Sequence, residues 1–239
     1  MARNAPGLRS NGATRLFTGL LALALVLCTG CGNKELWPLQ EGNEWVYHER
    51  IKQSATPTGE VRYSMDSVEQ DGDNATSLIR AFRETSADPF QEIELTRTPH
   101  GLYESARAVI FHNGNPGVQK TTFSPSGTKP PYLFLHKANV GDTWDFAFQA
   151  NNPTLGTSLD FTGRGEAEAV QSVSPTAGRF KALRVAWRAE QDRGTGFENR
   201  IYWFKSGVGP VKIEIQTPNT HTVLMLKRAR IGKKKIGKW

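Results

Sequence analysis

Cysteine is nearly missing from this 239-residue chain: only Cys28 and Cys31 occur, both before residue 32. Everything downstream therefore has no disulfide framework, and its stability must come from burial. The C-x-x-C spacing has no second pair elsewhere and Cys28 sits in an apolar run, which argues against zinc and redox readings. Long apolar runs are just as scarce. The stretch from Leu16 to Leu27, broken only by Thr18 and Gly19, would reach about 18 Å as a helix, short of the roughly 30 Å hydrocarbon core that a permanent span must cross. No long segment repeats its apolar residues with period 3.6, which excludes a helical bundle.

Catalytic and cofactor signatures are also lacking. Ser126 and Ser158 have no G-x-S-x-G frame to present a nucleophile. His48-Glu49 opens like a zinc-protease signature, but Lys52 stands where the second histidine is needed. Asp71, Asp73 and Asn74 resemble the front of a calcium loop whose pattern then requires glycine and glutamate, where this chain has Thr76 and Phe82. The glycine pairs Gly163/Gly165, Gly194/Gly196 and Gly207/Gly209 lack the third glycine of a phosphate cradle, and no cofactor is implied. Glu92/Glu94 and Glu166/Glu168 would each lie about 7 Å apart on one strand face, a spacing that suits acid and base catalysis but equally any wet face of a sheet.

What is present begins with an address. Arg3, Arg9 and Arg15 with no acid, then the apolar run, then small residues, is the order of a secretion signal. Leu27-Cys28-Thr29-Gly30-Cys31-Gly32 resembles the lipobox of bacterial lipoproteins, with Cys28 where Leu, Val or Ile is more usual. The resemblance implies that Cys31 carries lipid and that residues 1–30 are removed. Two or three acyl chains, as such lipoproteins carry, hold stably to a membrane where a single chain does not. Gly32, rather than an aspartate, favours the outer membrane facing the periplasm over the inner membrane. The expected organisation is a signal at 1–30, a lipidated tether at 31–36, a β domain at 37–226 and a basic tail at 227–239.

The formal charge of +7 is unevenly spread. The signal carries +3 and the last thirteen residues +7, which leaves the body at −3 and argues against a nucleic-acid groove. Two readings stand for Lys227, Arg228, Arg230, Lys233, Lys234 and Lys235: a patch lying on anionic lipid, worth about 1 kcal/mol per cation, or a solvated tail.

Through the body, apolar residues recur with period two. Val61, Tyr63 and Met65 alternate with Arg62, Ser64 and Asp66; Leu159 and Phe161 with Asp160 and Thr162; Val211, Ile213 and Ile215 with Lys212, Glu214 and Gln216. Each predicts a strand with one dry and one wet face. Similar strands are expected over 45–52, 76–83, 90–97, 108–112, 133–137, 145–149, 180–189, 199–204 and 223–228, separated by Gly, Asn, Asp and Pro turns. Many short strands imply an antiparallel all-β fold. The proline-rich stretch from Asn113 to Pro131 predicts a long surface loop near a midpoint. On either side of it, Gly42-Asn43-Glu44-Trp45-Val46-Tyr47 and Gly141-Asp142-Thr143-Trp144-Asp145-Phe146 share the form G-[ND]-x-W-x-aromatic. This is read either as a duplicated sheet or as one turn solution used twice.

Aromatics concentrate in the expected strands. Trp45, Tyr47, Trp144, Phe146, Trp187 and Trp203 either line an apolar ligand cavity in a curved sheet or fill the core.

The segment Trp37-Pro38-Leu39-Gln40-Glu41-Gly42-Asn43-Glu44-Trp45-Val46-Tyr47 resembles the PLxxGNxWxY opening of a group of bacterial lipoproteins with no assigned reaction. Ala177 to Val185 is similar to that group's AGxFxxxxV strand, and Tyr202-Trp203-Phe204 through Lys212 to its YWxxxGVGxVK close. The resemblance implies a strongly curved antiparallel sheet, a half barrel or open barrel as in envelope lipoprotein carriers. A binding or structural role follows, with a hydrophobic ligand, a lipoprotein segment or an envelope protein as partner. The alternative is an envelope hydrolase built on scattered acids and His100, His112 or His136.

Overall fold

The computed structural model describes residues 35–52, 59–84, 86–112 and 116–239. Residues 1–30, expected to be a secretion signal, and Cys31 lie outside the described residues. Fourteen strands and no helix occur among those described: β1 (Glu44–Ile51), β2 (Glu60–Asp71), β3 (Asn74–Arg83), β4 (Gln91–Arg97), β5 (Gly101–Phe111), β6 (Gly117–Pro125), β7 (Phe134–Leu135), β8 (Thr143–Asn152), β9 (Thr157–Val173), β10 (Phe180–Gln191), β11 (Phe197–Lys205), β12 (Gly209–Gln216), β13 (His221–Ile231) and β14 (Lys234–Gly237). The period-two pattern is obeyed. In β2, for example, Val61, Tyr63 and Met65 are buried while Asp66 is exposed.

Each of the long strands lies antiparallel to its neighbour in chain order, and β1 also pairs with β13 from Glu44↔Arg230 to Ile51↔Thr222. The sheet thus curves into a ring of twelve strands, β1 to β6 and β8 to β13, which removes the exposed edges of an open sheet. The all-β, strongly curved antiparallel architecture is the one the sequence implied. Two short strands complete it: β7 pairs with β5, and β14 pairs with β13 just beyond the point where β12 ends. The narrowest ladder, β6 with β8, has only the pairs from Thr122↔Asn151 to Pro125↔Phe148. Beside it Leu133 and Phe134 are buried, and Trp144 donates to the Tyr132 carbonyl at 2.7 Å.

The ring consists of two like halves. Gly42 (φ 79°) and Gly141 (φ 96°) both sit in the left-handed region that favours glycine. Gly42 N donates to Met65 O and Met65 N to Asn43 O; Gly141 N donates to Ala167 O and Ala167 N to Asp142 O. Immediately after Met65 and Ala167 come Asp66 and Glu168, each the extra residue of a β-bulge. A further bulge recurs at Ser105 between β4 and β5 and at Val211 between β11 and β12. Bonds, bulges and strand order repeat together, so the shared six-residue motif marks a pseudo-duplicated sheet.

Inward side chains fill the ring. Phe146 stacks on Trp187 at 4.7 Å between centroids and Phe148 on Phe161 at 5.1 Å. Gly163 and Gly165 face Phe146 and Trp144 across the β8–β9 ladder, and a Cβ on either glycine would run into the opposing ring. These glycines leave room for aromatics and cradle no phosphate.

Two expectations are corrected. Half of the supposed loop from Asn113 to Pro131 is β6, whose half-buried face carries Gln119 and Thr121 beside Phe123 and so shows no hydrophobic pattern. Residues 227–239 are no tail, because β13 runs to Ile231 and β14 returns along it with Ile236 buried. The tether also ends earlier than expected: Leu36 packs against the core, and Glu35 pairs with Arg97 at 2.6 Å.

Gly165→Ala should cost about 1–3 kcal/mol through overpacking against Trp144. Gly117→Ala, with nothing within 4 Å of its added methyl, should change little. Urea unfolding of the two variants measures the contrast.

Candidate functional site

Five of the six singled-out aromatics share the barrel interior. Trp45 and Tyr47 are fully buried, Phe146 and Trp187 stack, and Trp144 covers Gly165. Trp203 alternates to the other face. It lies beneath Lys212 (4.0 Å) and Arg184 (5.5 Å), between Tyr202 and Phe204, which both pack on Trp37.

The opening and closing motifs meet across 163 residues. Trp45 Nε1 donates to Val208 O at 2.6 Å and Tyr47 Oη to Pro210 O at 2.9 Å. Gly209 between them has φ 101°, and a Cβ there would come within 3.0 Å of both Trp37 and Trp45. Asn43, buried at the turn before β1, donates to Pro38 O at 2.7 Å and accepts from Gly232 N at 2.8 Å. These motif residues form a closure rather than a reactive centre.

Four charges sit inside the ring. Glu104 and Arg107 on β5 face Glu198 and Arg200 on β11, from the opposite half of the duplication. Arg200 donates to Glu104 at 2.5 Å and to Glu198 at 2.7 Å; Arg107 donates to Glu104 at 2.7 and 3.0 Å and to Glu198 at 3.3 Å. The set is neutral and mutually paired. Burial alone would raise the Glu198 carboxyl, but Arg200 and Arg107 outweigh it and bring it down to about 2. Glu104 is likewise lowered, because the same two arginines overcome its burial. Both stay ionised at neutral pH and neither has a proton to give. The quartet's hydrogen bonds are spent on one another, and neither carboxyl is poised to give up a proton at neutral pH.

Glu104, Glu198 and Arg200 border a cavity with Phe123, Pro131, Leu133, Phe148 and Trp187. Its free space accommodates about one water molecule. Sequence reasoning missed this site, although a signal existed. Glu198 and Arg200 are in phase with Tyr202 on the dry face of their strand, where an unpaired charge is costly.

The other candidate residues do not converge. His100 and His136 lie together at one end of the barrel, where His136 N donates to His100 O at 3.0 Å. His112 ends β5 at the other end, beside Pro89 O. Burial lowers the pKa of His136. Glu92 pairs with Arg80 at 3.0 Å, Glu94 with Lys120 at 2.5 Å and Glu168 with Arg188 at 2.7 Å, all on the wet face. Asp71 and Asn74 face each other across the β2–β3 turn. Among the described residues no group of acids, histidines or cysteines is arranged to hold a metal ion.

Of the basic residues, Lys227 pairs with Glu60, and Arg230 lies 4.0 Å from Glu44. Arg228 and Lys235 lie 5.4 and 5.2 Å from the Trp239 ring. Lys233 and Lys234 are exposed at the β13–β14 turn.

Fold and site together define a closed antiparallel β-barrel with a dry aromatic interior and a neutralised charge cluster. No protein-family model and no curated protein matches the chain. Among solved structures, one described as a lipoprotein from Parabacteroides distasonis is similar, with 11% identity, TM-score 0.49, and coverage of 83% of this chain and 100% of that one. An exported protein with a YmcC-like fold from Bacteroides fragilis is similar with 13% identity, TM-score 0.49, and coverage of 82% and 99%.

Glu104→Gln leaves buried guanidinium charge uncompensated and should cost about 3–5 kcal/mol. Glu94→Gln on the wet face should stay within about 0.5 kcal/mol. Because the Glu198 carboxyl lies below its ordinary value of 4.5, its contribution is complete above that pH and is lost as pH falls towards about 2. Acid titration of unfolding free energy should show this loss in the wild type and a smaller one in Glu198→Gln.

Proposed function

We propose that this chain is a bacterial envelope lipoprotein, held to the outer membrane by lipid on Cys31 and facing the periplasm, with a binding or structural role. The observation that carries this reading is the polarity of the ring. Its outer face bears ion pairs such as Arg80 with Asp66 and Glu92 and Lys120 with Glu94, while its inner face is aromatic. A transmembrane barrel has the reverse arrangement, with an apolar band outward. This barrel is built for water and needs a separate attachment, which the lipobox-like segment supplies. The paired carboxylates and dispersed histidines weigh against the hydrolase reading.

The finer reading is that a hydrophobic ligand or lipoprotein segment is held at the cavity mouth. Phe123 and Phe148 border the cavity, and Phe111, Val118 and Leu155 are exposed further along the same strands, at the β5–β6 and β8–β9 turns. With room for about one water in the resting barrel, such a ligand displaces the Phe123 and Phe148 rings as it enters.

Replacing Cys31 with serine should make the protein extractable from membranes by high salt, while circular dichroism still reports a folded β protein. A serine variant that resists extraction as firmly as wild type would refute the anchor. Mass spectrometry of protein purified from its native membrane should find a co-purifying acyl ligand or peptide whose yield falls at least about tenfold in Phe148→Glu; repeated absence counts against the finer reading.

A further inference from the structure

The strands alternate in direction, so the turns sort between the two ends of the barrel. The start of β1, the β11–β12 turn and the β13–β14 turn share one end. The first described residue is held there, because Gly207 N donates to Glu35 O at 2.8 Å and Glu35 pairs with Arg97 at the end of β4. Cys31 stands four residues earlier, a tether of at most about 14 Å. On the lipoprotein reading, acyl chains on Cys31 would hold this end of the barrel at the bilayer.

The same end carries the chain's densest positive charge. Lys233, Lys234, Lys235 and Lys238 are exposed, and none has a carboxylate within 4.0 Å among the described residues. Trp239, half exposed, lies beside Lys235 and Arg228, so an amphipathic ring sits within the cationic patch. Ile236 anchors the hairpin from beneath, and Gly232 at its turn is bonded to Asn43. The patch is therefore a fixed surface. Among the acids at this end, Glu41, Asp71 and Asp73 belong to the β1–β2–β3 side, Asp142 accepts from Asn139 N before β8, and Glu44 is engaged by Arg62 and Arg230.

From these placements we infer that the β13–β14 hairpin is a second membrane contact: Lys233, Lys234, Lys235 and Lys238 bind anionic lipid headgroups and Trp239 enters the interface beside them. Each cation near a charged surface gains about 1 kcal/mol, and an interfacial tryptophan suits the headgroup layer. The inference rests on the lipoprotein reading for its orientation. Acyl chains fix the barrel's distance from the bilayer, and the hairpin fixes its tilt, with the β5–β6 and β8–β9 hairpins pointing away.

The test uses residues 31–239 with serine in place of Cys31, so that neither an acyl chain nor the apolar, arginine-bearing segment before it contributes. It is mixed with phosphatidylcholine vesicles with and without phosphatidylglycerol, and sedimentation measures the bound fraction. Binding should require phosphatidylglycerol, fall steeply with salt, and weaken at least about tenfold when the four lysines become glutamate. The milder set of four Lys→Gln substitutions should weaken it in the same direction, and Trp239→Ala should weaken it several-fold without changing the salt dependence. Circular dichroism confirms folding of each variant. Equal binding to both vesicles, no binding to either, or binding unchanged by the lysine variants overturns the inference. Salt extraction of the acylated protein carrying the four Lys→Glu substitutions separates the two ideas: retention there upholds the Cys31 anchor whatever the hairpin does.

Discussion

The bond from the Trp45 indole to the Val208 carbonyl fastens the end of the ring that the β1–β13 ladder closes. It joins the first strand to the β11–β12 turn across 163 residues, with the Tyr47 hydroxyl on Pro210 O as its companion. All four groups are buried, so a lost partner leaves a polar atom unsatisfied at about 1–3 kcal/mol. Gly209 must lack a side chain for the rings to approach, and its positive φ turns the carbonyls on either side towards them. Trp37 then closes that end by packing edge-on against Trp45 and against Tyr202 and Phe204. Residues that look like two separate motifs along the chain are one piece of architecture.

The duplication explains why a second tryptophan does similar work with a different partner. Trp144 enters β8 as Trp45 enters β1, but it donates to Tyr132 O in the connection between the halves. In the first half the acceptor comes from a strand turn; in the second it comes from the segment that fills the narrow β6–β8 junction. The two halves are also joined inside, where β5 contributes Glu104 and Arg107 and β11 contributes Glu198 and Arg200. Desolvating four charges offsets much of their mutual attraction. What they secure is geometric: bonds between opposite walls hold each wall at a set distance.

The dry and wet faces were legible because period two survives wherever one face is buried, as in β2 and β12. The paired G-[ND]-x-W turns were legible for a similar reason, since each needs glycine at positive φ. β6 was not legible: its half-buried face carries Gln119, Thr121 and Phe123, two of them polar, so no apolar alternation marks it. β14 was hidden because three consecutive lysines read as a solvated run, while only Ile236 betrays a packed face. The ion quartet escaped for a different reason. A charge in phase with aromatics declares a buried partner on another strand, but period two cannot say which one, and β5 and β11 are about a hundred residues apart.

Function follows from where this barrel places its polarity. With aromatic rings inward and paired charges outward, the wall presents neither an open channel nor a lipid-facing belt, and its buried carboxylates are held ionised by arginine. The same packing that stabilises the ring leaves little open space inside it. What stays free to act lies at the ends. One end gathers Glu35, the lysine hairpin and Trp239; the other carries Phe111, Val118 and Leu155 on two paired hairpins. The strand order sets this division between a cationic end that bears Trp239 and an end that exposes apolar side chains, and the proposed lipoprotein role rests on it.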